Sequence, residues 1–190
     1  GLAPWRFTIH GICDREEYFS QAYPSPSNFH WLPWLQKQLI MDGYNCQTPE
    51  MPAPYAPSYE QWREIFEYFP IEPGAILIGH SAGCGFLLRW LSETGIQCAK
   101  LVMVAPWLDP YKECGTFLNF TPDLGLSKRC GEIHVLYSDD DPIMAVGETT
   151  HQLKGLYPHL NYHHYTDCGH FCIDDLKTSE FHELYDIIIC

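Results

Sequence analysis

Between Leu77 and Gly83 the chain reads LIGHSAG, a serine with a glycine two positions away on either side. An apolar, β-branched run precedes it and an apolar helical pattern follows. A serine hydroxyl is a poor nucleophile until a base takes its proton, and the base works well only when an acid orients it. Two later segments hold such groups: SDDDP at 138–142 and TDCGHF at 166–171. Each follows a strand-like run. Serine, acid, histidine is the chain order used when a G-x-S-x-G turn joins a strand to a helix. The chemistry implied is acyl transfer through a serine.

Residue types narrow the roles. Ser81 is the expected nucleophile, exposed on a turn that Gly79 and Gly83 allow to be sharp. His170, in a loop after the last strand-like run and preceded by Gly169, is the expected base. Asp141, immediately before Pro142, is the expected acid, with Asp140 as the alternative and Asp139 as a capping or solvated residue. The negative oxygen formed during acyl transfer needs two N–H donors. These are expected at Ala82, after the nucleophile, and at Ile12, in the HGICD stretch at 10–14. His10, Gly11, His80, Trp107, Ile143 and Phe171 are expected to contact substrate, His10 and His80 as wall residues rather than second bases. His163, His164, Cys168, His170 and Cys172 lie close in sequence, but strand alternation sends His163 and His164 to opposite faces. No metal and no cofactor are expected.

These groups need a scaffold that gathers three distant loops. Strand-like runs fall at Phe7–His10, Tyr44–Gln47, Ala75–Ile78, Leu101–Ala105, Ile133–Tyr137 and Tyr162–Tyr165. Helical patterns fall between them at Phe29–Met41, Ser58–Phe69, Cys84–Glu93 and Met144–Leu156, with a last one at Ser179–Ile189. Gly43 and Gly95 stand where helices should stop. This alternation predicts an α/β fold with a parallel sheet, whose loops at the carboxyl ends of the strands hold the chemistry. Residues 48–57 read as a surface loop. Residues 106–130 lack periodicity and read as a lid-like insertion in one domain spanning 1–190.

Composition removes other classes. A net charge of −13 with only 11 Lys and Arg argues against nucleic acid and anionic lipid as partners. No run of eighteen apolar residues is present, so no membrane span is expected. Nine cysteines without a C-x-x-C pair do not read as a disulfide framework. They fit a cytoplasmic setting.

LIGHSAG at 77–83, DDP at 140–142, TDCGHF at 166–171, EFHEL at 180–184 and the aromatic WLPWLQKQL at 31–39 together resemble the small serine hydrolases of the retinoblastoma-binding protein 9 type. The resemblance implies an α/β-hydrolase fold of about six parallel strands in the order 2-1-3-4-5-6, helices on both faces and no large cap domain. It also implies Ser81, Asp141 and His170 as the triad, acting on a small ester or related acyl substrate, with thioester and peptide chemistry open. The loop after the first strand carries less glycine than is usual for the family. The alternative is a non-catalytic interaction module on the same fold, with an acidic, aromatic-rich surface.

Overall fold

Short apolar and β-branched runs pair into one sheet in the computed structural model, which describes residues 4–190. The strands are β1 (Arg6–Ile9), β2 (Cys46–Gln47), β3 (Ile76–His80), β4 (Cys98–Val104), β5 (Cys130–Ser138) and β6 (Asn161–Tyr165). All neighbours are parallel, in the order β2-β1-β3-β4-β5-β6 expected above. The helices are α1 (Arg15–Phe19), α2 (Leu32–Met41), α3 (Tyr59–Phe66), α4 (Ala82–Thr94), α5 (Met144–Leu156), α6 (Ile173–Leu176) and α7 (His182–Ile189). None is long and apolar enough to cross a membrane.

Successive strand residues point to opposite faces, and helices cover both. Phe7, Leu77, Leu101, Met103 and Val135 pack with Trp62 and Phe66 of α3 and Phe86 and Trp90 of α4. Ile76, Ile78, Val102, Val104 and Leu136 pack with Leu32, Leu35 and Leu39 of α2 and Leu184 and Ile188 of α7. This is why the central strands read as continuous apolar runs.

Local signals set several helix ends. The Ser58 hydroxyl accepts the Gln61 N–H at 3.3 Å and caps α3. Gly95 stops α4 at φ +71°, a left-handed conformation that favours glycine. The first helical pattern, expected from Phe29, begins at Leu32, because His30 turns to φ +58° and breaks the helical path. α1 and α6 were not expected.

The segment 106–130, expected as a lid-like insertion, is seated on α4. Phe117 and Leu118 are buried in the core beside it. The Arg89 guanidinium on α4 donates to the Thr116 and Phe117 carbonyls at 2.7 and 2.8 Å.

Register decides where the loops emerge. Ile9 lies opposite Gly79, His80 opposite Val104, Val104 opposite Leu136, and Ser138 opposite Tyr165. The segments after five strands therefore leave the sheet along one edge.

Candidate active site

β3 ends at His80 and α4 begins at Ala82, so a single residue makes the reversal. Ser81 does so at φ +57° and ψ −119°, a conformation that costs a non-glycine residue about 1–3 kcal/mol. Backbone bonds hold it there. Its N–H donates to Val104 at 2.9 Å, and its carbonyl accepts from Cys84 and Trp107 at 3.0 and 3.2 Å. The first turn of α4 presses against the end of β1: a Cβ on Gly83 would overlap the Ile9 carbonyl and sit 2.7 Å from that of His10. A Cβ on Gly79 would lie 2.7 Å from the Cys84 nitrogen. The two glycines are the condition for this close approach.

The same approach brings the loop after β1 to Ser81. A Cβ built on Gly11 would lie 3.1 Å from that of Ser81 and 3.6 Å from the Ala82 nitrogen. His10 fixes this loop. Its Nε2 accepts the Met51 N–H at 2.8 Å, which leaves Nδ1–H to donate to the Gly11 carbonyl at 2.7 Å. A trans peptide points the next N–H away from its carbonyl, so anchoring the Gly11 oxygen aims the Ile12 N–H away from His10. Neither the Ile12 nor the Ala82 N–H donates to a group among the described residues.

His170 is held at three points. Its Nδ1 meets Asp141 Oδ2 at 2.9 Å, its N–H donates to Asp175 Oδ2 at 3.1 Å, and its carbonyl accepts from His80 Nε2–H at 2.9 Å. The side chains of His170 and Asp141 are 10% and 4% exposed, so water competes little for their contact. Asp141 Oδ1 accepts the Ile143 N–H at 2.9 Å. Asp140 turns instead to the Ser138 hydroxyl and the Gly169 N–H, at 2.7 and 2.8 Å, which hold its carboxyl below the usual range. Asp139 pairs with His164 on the surface. His163 lies on the other face of β6, at 2.9 Å from His134. Cys13 and Cys172 sit nearby as thiols, pushed up by burial to about 11 and about 12.

Ser81 and His170 line one cavity of about 550 Å³, together with His10, Gly11, Ile12, His80, Trp107 and Ile143. Among the described residues no hydrogen bond joins the Ser81 hydroxyl to the imidazole. Such bonds often close only when substrate binds. Phe171, expected at the pocket, is not there. At φ +58° it turns away from it, into a fully buried place between Tyr165 and Phe181.

Other walls were not expected. Glu17 and Tyr18 come from α1, Phe29 and His30 from the turn before α2, Glu113 from the 106–130 segment, and Asp174 from α6. His30 accepts the Ile173 N–H on Nδ1 at 3.0 Å and stacks on Phe29 at 3.9 Å. Burial pushes its pKa down to about 4. The signal that separates His30 from the helix is Pro33: within a helix begun at Phe29 its ring would clash with the Phe29 carbonyl, whereas in the first turn of α2 it is tolerated, which leaves His30 outside.

Comparison with known proteins agrees with this architecture. Residues 21–175 match the model of the Serine hydrolase family. The Bacillus subtilis protein YdeN is 33% identical over 95 residues, which are 48% of this chain and 50% of YdeN, so the match spans about half the length of that curated relative. The solved structure of the B. subtilis ydeN product aligns with a TM-score of 0.77 at 22% identity, over 98% of this chain and 97% of that one. Mouse alpha/beta hydrolase domain-containing protein 10 aligns at 0.66 and 14% identity, over 99% and 89%. The shared fold is the α/β-hydrolase fold.

Proposed function

Since the chain belongs to the Serine hydrolase family, we propose that it cleaves small carboxylic esters through an acyl-enzyme on Ser81. The observation that carries this reading is the 2.9 Å contact between His170 Nδ1 and Asp141, with His170 and Ser81 on one pocket wall. A carboxylate only accepts, so Nδ1 holds the proton and Nε2 is left with a lone pair.

In this reading Nε2 takes the Ser81 proton as Oγ attacks the acyl carbon. The Ala82 and Ile12 N–H groups bind the oxyanion of the tetrahedral intermediate, each contributing about a hundred- to a thousand-fold. Collapse breaks the ester C–O bond, and His170 returns the proton to the leaving alcohol. Water, deprotonated by the same nitrogen, then attacks the acyl carbon; the bond to Ser81 Oγ breaks, His170 returns the proton to that oxygen and the acid leaves. The turn motifs also support a place among the hydrolases of the retinoblastoma-binding protein 9 type.

A fluorophosphonate probe tests the nucleophile: wild type should label, and Ser81→Ala should not. Absence of labelling in both, with no turnover of p-nitrophenyl esters of any chain length or of an aminopeptidase substrate, would turn the reading toward a non-catalytic interaction module. Relative rates across that panel rank ester against peptide chemistry.

A further inference from the structure

The pocket is one-sided in charge. Glu17, Glu113 and Asp174 line it, and no Lys or Arg is among its described lining residues. Three of its four histidines do not compensate. His10, His30 and His80 are all pushed down by burial and are neutral at pH 7. The nearest cation in sequence, Arg15, lies over the rings of Phe19 and Tyr55 at 4.9 and 5.0 Å, outside the lining.

Glu17 is half-buried, and its carboxylate has no hydrogen bond or counter-ion among the described residues. Its charge reaches the thiols of both Cys13 and Cys172, on separate parts of the wall. The remaining walls include the rings of Tyr18, Phe29 and Trp107. Aromatic faces attract cations, and a carboxylate short of a partner does so more strongly.

We propose that this pocket takes acyl substrates carrying a positive charge, an amine or quaternary ammonium in the acyl or alcohol part, and excludes those carrying carboxylate or phosphate. Turnover of such a substrate rests on Ser81 as nucleophile; its binding does not. The test therefore measures binding to the Ser81→Ala protein. Three small alcohols serve as probes: choline, its neutral carbon isostere 3,3-dimethylbutan-1-ol, and the anion isethionate.

Choline should bind about five- to thirty-fold more tightly than the neutral isostere, the range of one or two cation–aromatic contacts. Isethionate should bind weakest. The preference should shrink in Glu17→Gln and shrink further in Glu17→Gln/Glu113→Gln/Asp174→Asn, down to what the rings of Tyr18, Phe29 and Trp107 supply alone, with melting curves confirming that each variant is folded. Equal binding of choline and the isostere, tighter binding of isethionate, no binding of choline, or a preference undiminished in the triple variant would overturn the proposal. Wild-type labelling by fluorophosphonate separates the two readings. Labelling without cation preference removes only this one, and cation preference without labelling removes only the ester reading.

Discussion

Three consecutive aspartates of identical chemistry, Asp139, Asp140 and Asp141, take three different partners: a surface histidine, the loop that carries His170, and His170 itself. Their substitutions should separate accordingly. Asp141→Asn swaps an acceptor-only group for an amide that can present N–H to Nδ1 and favour the wrong tautomer, so kcat should fall by about 10⁴-fold, the loss seen for a comparable triad change. Asp139→Asn should stay within a few-fold of wild type. Asp140→Asn should act through the loop, lowering the melting temperature more than it alters the pH profile. Steady-state kinetics with one p-nitrophenyl ester decides, and an Asp140→Asn loss as large as that of Asp141→Asn would refute the assignment. The sequence already narrowed the expected acid to this triplet and favoured the residue before Pro142, the one that meets His170. It left Asp140 open because neighbouring side chains in a loop differ only in direction, and backbone angles set direction. Phe171 failed for the same reason: it follows His170, and one residue's turn separates pocket from core.

At the scale of elements, the junction of β1, β3 and α4 is the tightest constraint. A methyl at Gly83 would meet the backbone carbonyls of Ile9 and His10, and neither strand can retreat without breaking its ladder. Gly147, inside α5, has nothing within 4 Å of where its Cβ would be. The same substitution should therefore have opposite signs. Gly83→Ala should unfold the protein or cost several kcal/mol with loss of activity, whereas Gly147→Ala should stabilise by about 0.4–1 kcal/mol. Thermal melts of the two variants test this, and a folded, fully active Gly83→Ala would contradict the packing described. The long elements were legible for a related reason. Runs buried on both sides must be apolar throughout, and α3, α4 and α5 carry their period over two turns or more. α1 and α6 are one-turn helices of five and four residues, too short for a period. The pocket walls they supply come from tertiary placement and leave no local pattern in the sequence.

For the molecule as a whole, acidification pits two effects against each other. At a net charge of −13, adding protons relieves self-repulsion and favours the folded state. Against this, His10, His30, His80, His134 and His163 are all pushed down by burial, His30 to about 4. Each holds its proton less readily when folded than once unfolded, where it titrates near pH 6.5. As pH falls through 6.5 the unfolded chain therefore binds more protons than the folded one, and stability must fall, down to about pH 4 for the His30 contribution. Each such histidine contributes a slope of up to about 1.4 kcal/mol per pH unit. Glu17, pushed up by burial, works in the opposite direction but is a single, half-exposed group. Surface repulsion is screened beyond about 8–10 Å at moderate salt, while the buried rings are not. The histidines should win. The melting temperature should be highest near neutral pH and decline steadily from pH 7 to pH 5, with a similar slope at low and high salt. In His30→Gln, which removes one titrating ring, the decline should be shallower. A melting temperature that rises over this interval would mean that these imidazoles are protonated inside the fold, and the neutral, one-sided pocket would fall with it.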